Sequence, residues 1–432
     1  MSFHRVRCKM PVCMLILCCI ASQSIDCQKA WEHPSDPGAM TQTASRKPGP
    51  VSFSGDGMLI SNREGSNKVK VQGYLQADGR LFATNLNDQR HDVFLFRRVR
   101  PLVEGTLANQ VDFRFMPDFG EGNTVIQEAY IEWRSAPFAS LRVGKFKTPI
   151  GLEVLRQDRD LTFAERSMAS DLIPLRDLGA QVEGSFMKDA ITYELGFFSG
   201  AEDGANANFE WRGTKDGVAR VFFEPFAASG RAALQQLGAG IAVSAGHHYG
   251  APPDFKTIGQ ETFFHYSAGA IVDGWHKRVS PQASYFRGPV GLLAEYVVSG
   301  GALSVGGVHG YLSNRSWELS GSFILTGEKN SYEDFRPKHA FAPAEGLQHW
   351  GAWEIAIRHS GVDFDANAFP YFAAPASSAK GASESAVGLN WHINRHTKLI
   401  MDYEYTSFHM AAADVPRLHS EHVAMTRIQL GF

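Results

Sequence analysis

From Lys68 onward the chain alternates between apolar and polar residues. Leu178, Ala180, Val182, Gly184 and Phe186 share one phase; Asp177, Gly179, Gln181, Glu183 and Ser185 share the other. After Met187-Lys188-Asp189, which reads as a tight hairpin, Ile191, Tyr193, Leu195 and Phe197 alternate with Thr192, Glu194 and Gly196. Trp353, Ile355 and Ile357 alternate with Glu354, Ala356 and Arg358, and Leu399, Met401, Tyr403 and Tyr405 with Lys398, Asp402 and Glu404. Successive side chains of a strand point to opposite faces. An apolar phase set against a charged one is what a strand needs when lipid lies on one side and water on the other. The pattern therefore predicts an all-β fold, a transmembrane antiparallel β-barrel.

Segments of this kind recur about sixteen or seventeen times, at ~9–11 residues each. Bacterial barrels carry even numbers, so sixteen strands are expected, with Ala302–Thr326 read ambiguously as one long strand or two short ones. Pro137-Phe138 and Asn394-Arg395-His396 are short turns expected at the periplasmic rim. Thr148–Arg176, Gly200–Asp216, Glu328–His349 and Phe364–Ser383 are long and are expected to face outside or fold inward. A string of β-sandwiches also alternates. The length without a clear linker and the aromatic-rich apolar phase favour the barrel.

The two ends carry the same expectation. In Glu421–Phe432, Ala424, Thr426, Ile428, Leu430 and Phe432 share one face, and Arg427 and Gln429 the other. Such a strand stopping on an aromatic residue is a habit of outer-membrane proteins, whereas a soluble domain usually ends in a frayed polar tail. Arg5, Arg7 and Lys9 precede a short apolar run, Pro11–Ala21, and the small residues Ser22 and Ser24. This is the layout of a secretory signal. The expected organisation is a signal over 1–24, a flexible periplasmic lead-in over 25–67 and the barrel over 68–432.

Composition narrows the chemistry. All five cysteines (Cys8, Cys13, Cys18, Cys19, Cys27) lie in the opening stretch, so no disulfide or thiolate site is expected beyond it. Cys27 is a poor lipoprotein cysteine, because Asp26 precedes it. Forty-two Lys and Arg against forty-five Asp and Glu leave a net charge of −3, which argues against nucleic acid as a partner. No cofactor or metal motif is found. His247, His248, His265, His392, His396 and His409 fit no nucleophile or metal spacing, and a triad is defined by geometry, not order.

The densest charged stretch outside the strands is Lys145–Arg176. Pro149 ends a strand because it lacks an N–H for the ladder. The loop that follows is too long to be an idle connection. It mixes Arg156, Arg159, Arg166 and Arg176 with Leu152, Leu155, Leu161 and Phe163. Apolar anchors with guanidinium groups suit a loop pinned inside a barrel. An extracellular loop with its charges in water suits the same residues.

Several pieces then point to one family. Phe94-Leu-Phe-Arg-Arg-Val-Arg with Glu104-Gly105, Asp112-Phe-Arg-Phe-Met-Pro-Asp-Phe-Gly and Gln127-Glu-Ala-Tyr-Ile-Glu-Trp come first. Leu141-Arg-Val-Gly-Lys-Phe-Lys-Thr-Pro, Asp160-Leu-Thr-Phe-Ala-Glu-Arg and Arg176-Asp-Leu-Gly follow. Together, Val69–Gly200 resembles the phosphate-selective porins O and P, with weaker matches at Leu325-Thr-Gly-Glu-Lys and Gly351-Ala-Trp-Glu-Ile-Ala-Ile-Arg. The resemblance implies a sixteen-stranded barrel, usually a homotrimer in outer-membrane lipid, with an inward-folded constriction loop. It also implies an Arg- and Lys-lined path for inorganic phosphate or other small anions. By family position, Arg97, Arg98, Lys145 or Lys147, and Arg159 would line the narrow zone, with Asp118 beside them; Arg156, Arg166 and Arg176 complete the candidates. Arg97 and Arg98 are neighbours on one strand, so both face the lumen only across a bulge. Arg220, Lys277, Arg278 and Arg287 are candidates for a basic ladder in the poorly matched middle. Glu153, Asp158, Asp160 and Glu165 interleave with the loop arginines, which points to anion passage more than to specific phosphate selection. A sugar channel, with Trp391-His392 and Tyr403-Glu-Tyr as a slide in place of interface-girdle aromatics, is the second transport reading. A barrel hydrolase and a plugged structural barrel are the remaining ones.

Overall fold

The computed structural model describes residues 50–432 apart from 84–90, 137, 209–212, 228, 232, 334, 347–348, 376 and 411–419. The expected signal, the lead-in up to residue 49 and the turn residue Pro137 lie outside the described residues. β1 (Val51–Ser54) and β2 (Gly57–Ser61) form a hairpin within the stretch expected to be a flexible lead-in. The barrel begins with β3 (Lys68–Phe82), β4 (Val93–Leu107), β5 (Val111–Asp118), β6 (Val125–Ala136) and β7 (Ala139–Lys147). It continues with β8 (Arg176–Phe186), β9 (Ile191–Phe198), β10 (Lys215–Phe223) and β11 (Leu237–Gly250). After a small ribbon, β12 (Phe255–Lys256) and β13 (Thr262–Phe264), come β14 (Ile271–Arg287), β15 (Val290–Val305) and β16 (Val308–Ile324). β17 (Ala352–Asp363), β18 (Ala379–His392), β19 (Thr397–Met410) and β20 (Ser420–Gly431) complete it.

Sixteen of these, β3–β11 and β14–β20, form a closed antiparallel barrel. β20 pairs back onto β3 from Val423↔Phe82 to Gly431↔Tyr74. Closure removes the free sheet edge that would otherwise present unpaired N–H and C=O groups to lipid. β2 pairs with β3 just beyond that seam, from Met58↔Val71 to Ser61↔Lys68, and so extends the sheet at one rim. The ambiguous Ala302–Thr326 holds the end of β15, a turn at Gly306-Gly307 and all of β16.

The alternation resolves as expected. Ile357, Leu319 and Phe197 stand exposed on the outer wall, while Arg427, Glu384 and Glu404 are fully buried inside. Trp353 and Trp391 stack at 5.2 Å on the outward phase, and Tyr403 and Tyr405 are exposed on that same phase. These aromatics therefore belong to an interface girdle and do not form a lumenal sugar slide.

Most connections at one rim are short: 108–110, 187–190, 288–289 and 393–396. By the rule of short periplasmic turns, this rim is periplasmic. Residues 148–175, 199–214, 251–270 and 364–378 join strands at the other rim. Glu328–His349 departs from expectation, because the strand order puts segment 325–351 at the periplasmic rim. There Arg336 and Arg395 both reach Asp56 at the tip of the β1–β2 hairpin, at 3.4 and 2.5 Å. At the opposite mouth, the β12–β13 segment crosses the opening. Arg80 donates to Gly259 O at 3.5 Å on the far wall, and Phe264 stacks on Phe364 at 3.8 Å.

Candidate functional site

Residues 148–175 fold into the barrel. Ile150, Leu152, Val154, Leu161, Ala164, Met168, Leu172 and Ile173 are all buried, so the loop has an apolar core of its own. A segment outside the ladder must still satisfy its backbone groups, and here wall side chains do so. Gln76 (β3) donates to Asp158 O at 3.2 Å, Asn390 (β18) to Thr162 O at 2.8 Å and Lys398 (β19) to Leu161 O at 2.7 Å. Arg358 (β17) donates to Glu165 O at 2.8 Å, and Gln282 (β14) to Ile150 O. Carboxylates accept from the loop: Glu295 (β15) from Leu152 N at 2.9 Å, and Asp402 from Ala164 N at 2.6 Å. The loop is thus tied to walls on opposite sides of the lumen.

Two loop carboxylates gather most of the arginines. Asp158 receives Arg100 (β4), Arg166 at 2.5 Å, Arg176 (β8) at 3.2 Å and Arg98 (β4) at 3.7 Å. Glu165 receives Arg97 at 2.6 Å, Arg427 (β20) at 2.8 Å, Arg80 (β3) at 3.4 Å and Arg98 at 3.5 Å. Burial alone would raise both carboxyls, but the surrounding guanidiniums, Arg100 foremost at Asp158 and Arg97 at Glu165, hold them well below the usual carboxylate range.

The predicted bulge is present. Gln76 pairs with Arg98 and Ala77 with Phe96, which leaves Arg97 as the extra residue. Arg97 and Arg98 therefore both reach Glu165. Gly120 packs beneath the bulge, where any side chain would run into the Arg97 carbonyl oxygen.

The other candidates divide. Asp118 accepts from Arg100 at 2.6 Å and from the amide of Val99 at 3.0 Å, so it orients the cluster from the strand side. Arg176 also bonds Glu128 at 3.2 Å. Lys147 donates to the carbonyls of Leu155 and Arg156, at 3.2 and 2.5 Å. Lys145 instead bonds Asn208 at 2.5 Å, in the neighbouring loop. Arg156 holds the loop's own turn through Asp160 O at 2.6 Å and reaches Tyr332 O at 2.9 Å. Arg159 makes no ion pair among the described residues; it lines a cavity of about 320 Å³ at the periplasmic side, together with Arg156 and Lys398. Of the suggested ladder, Arg220 and Arg278 are buried, pairing with Glu194 and with Asp203 and Asp216, while Lys277 and Arg287 are exposed.

Several members of the cluster were not among the candidates. Arg80, Arg100 and Arg427 sit on the inward phase of their strands, and that phase was the available signal. The wall across from them is acidic: Glu295, Glu318, Glu384, Asp402 and Glu404 on β15–β19 surround Arg358, which bonds Glu384 and Glu404 at 3.2 Å.

A closed sixteen-stranded barrel with a girdled outer wall and a charged lumen narrowed by an inward loop is a porin of the bacterial outer membrane. More narrowly, the chain belongs to the phosphate-selective porin O and P family, whose model matches residues 69–432. Its fold is similar to the outer-membrane channel DcaP of Acinetobacter baumannii, at 9% identity and TM-score 0.57, over 86% of this chain and 99% of that one. It is also similar to an anion-selective porin from Comamonas acidovorans, at 11% identity and TM-score 0.55, over 85% and 100%. OmpT of Vibrio cholerae in its trimer form matches at 10% identity and TM-score 0.51, over 85% and 100%. No curated protein matches the chain.

Proposed function

We propose that the barrel passes small anions by passive diffusion, phosphate and polyphosphate among them, without strong selection for phosphate. The reading rests on one observation: an arc of guanidiniums on β3, β4, β8 and β20 turns into the lumen at the level of the loop. Arginine offers a planar fork of donors that matches oxyanions, and rings of such groups select anions. Below the loop, Arg156, Arg159 and Lys398 make no ion pair among the described residues, and they share the exit cavity with Asp160, Glu333 and Glu354. Strong phosphate selection is not expected, because carboxylates already engage most of the arc.

A hydrolase finds no support in the histidines. His276 Nε2 approaches Ser299 at 2.7 Å, and Asp203, which bonds that serine at 2.6 Å and also Arg278, meets the same ring nitrogen at 3.7 Å and not the opposite one. A triad requires the acid to orient the histidine. The proposed assembly is a homotrimer, in line with the trimer form of OmpT, and chemical cross-linking in detergent tests it.

Reversal potentials across a KCl gradient in planar bilayers test the main reading. Anion preference is expected, and cation preference would overturn it. Arg98→Ala and Arg159→Ala should each weaken phosphate block of chloride current; unchanged block in both removes these residues from the path.

A further inference from the structure

We propose that Asp158 and Glu165 are resident ligands of the channel's own anion sites, and that they set its affinity for permeating anions by occupying the guanidinium cradles themselves. The inference rests on the anion reading above and deepens it. At Asp158 only Arg166 comes from the loop; Arg98, Arg100 and Arg176 belong to the wall. At Glu165 all four guanidiniums belong to the wall. The cradles are therefore built into the barrel, and the loop inserts an anion into each. A carboxylate and a phosphate draw on the same donors in the same fork geometry.

The wall arginines do not depend on the loop for neutralisation. Arg100 keeps Asp118 at 2.6 Å, Arg176 keeps Glu128 at 3.2 Å, Arg427 keeps Asp78 at 2.6 Å and Arg97 keeps Glu121 at 3.0 Å. Arg98 differs. Both of its carboxylate partners among the described residues are Asp158 and Glu165, and its remaining bond is to Gln76 at 2.8 Å. When a loop carboxylate leaves, Arg98 is the donor freed for a solute. A tethered carboxylate competes at a high effective concentration, so a free anion gains only a weak hold. Weak, exchangeable sites are what conduction needs.

The test uses Asp158→Asn and Glu165→Gln in planar bilayers, with inorganic phosphate titrated against a chloride current. Each variant should show block at a phosphate concentration lower by about tenfold, the worth of one charge-assisted hydrogen bond. Unchanged or weaker block in variants that retain the heat-modifiable mobility of a folded barrel overturns the proposal. Should a variant fail to fold in chloride, refolding is repeated with phosphate at equal ionic strength. Recovery is expected because phosphate takes the vacated place, and no recovery overturns the proposal. Cation preference in the unmodified channel would instead sink the anion reading itself. Anion preference with unchanged block in folded variants sinks only the resident-ligand inference.

Discussion

Arg427 is the place where loop, wall and barrel seam meet, and its removal has a calculable cost. Its guanidinium is fully buried on the closing strand β20. It bonds Asp78 of β3 at 2.6 and 2.7 Å, Glu165 of the loop at 2.8 Å, and Ala164 O. Arg427→Met leaves Asp78 with Arg80 at 3.6 Å, while Glu165 keeps Arg97 at 2.6 Å. Breaking a buried pair from one side costs about 3–5 kcal/mol. Both carboxylates retain a guanidinium, so the lower end is expected, about 3 kcal/mol. Arg427→Met with Asp78→Leu removes the uncompensated charge and should recover at least about 1 kcal/mol, because an apolar pair of similar volume replaces an ionic one. Urea unfolding in lipid vesicles, followed by tryptophan fluorescence and by heat-modifiable mobility, reads both values. A single variant within about 1 kcal/mol of the parent, or a double variant no more stable than the single, would refute the idea that this pair staples the seam.

Acid should release the loop late. Asp158 and Glu165 titrate well below the usual carboxylate range when folded, so their stabilisation is fully present above the unfolded value near ~4 and drains as pH falls toward the depressed one. A rise in conductance or open-channel noise is therefore expected only below about pH 4, and release at pH 5–6 would contradict the pairing. Tyr332 braces the loop from the periplasmic side, its hydroxyl donating to Leu152 O at 2.5 Å and its ring packing on Phe286 at 6.3 Å. Tyr332→Phe should cost about 1 kcal/mol and Tyr332→Ala about 3 kcal/mol, with noisier single-channel currents in the second; quiet currents in the alanine variant would dismiss the brace. Ile357, 63% exposed on the outer face of β17, should tolerate Leu but lose about 2–4 kcal/mol as Arg, measured by the same vesicle unfolding.

The period-two phase carried most of the fold. Inward Glu354, Asp402, Glu404 and Arg427 and outward Ile357, Tyr403 and Leu430 follow from counting residues by twos. Even the need for a bulge at Arg97-Arg98 is legible, because two neighbouring charges cannot share a face otherwise. The rim assignment of Glu328–His349 was not legible, and the cause is parity. Only counting the two-residue Gly306-Gly307 turn inside Ala302–Thr326 puts segment 325–351 at the periplasmic rim, against its length, whereas length alone places Phe364–Ser383 and Asn394-Arg395-His396 correctly. Ion-pair partners were hidden for a different reason. Asp158 and Arg100 lie 58 residues apart and Glu165 and Arg427 lie 262 apart, so only the closed barrel brings them together. Local interleaving of acids and arginines suggested pairing within the loop; among the described residues Asp158 pairs in this way with Arg166 and with Arg176 at the loop's end, and the rest of the compensation comes from the wall.

That division of labour explains how one loop serves two walls of opposite charge. Toward β3, β4, β8 and β20 it turns carboxylates, which meet guanidiniums. Toward the acidic strands it turns backbone N–H groups, which Glu295 and Asp402 accept without any cation being needed. A backbone donor neutralises no charge, so on the acidic side the compensation comes from the wall's own Arg358, which pairs with Glu384 and Glu404. On the proposed anion reading, Arg98 is the cluster donor offered to a solute, because its carboxylate partners among the described residues are the two loop acids, Asp158 and Glu165. If the proposed resident-ligand role holds, transport is an exchange of one anion for another at a built site, and its rate follows how readily Asp158 and Glu165 yield their place.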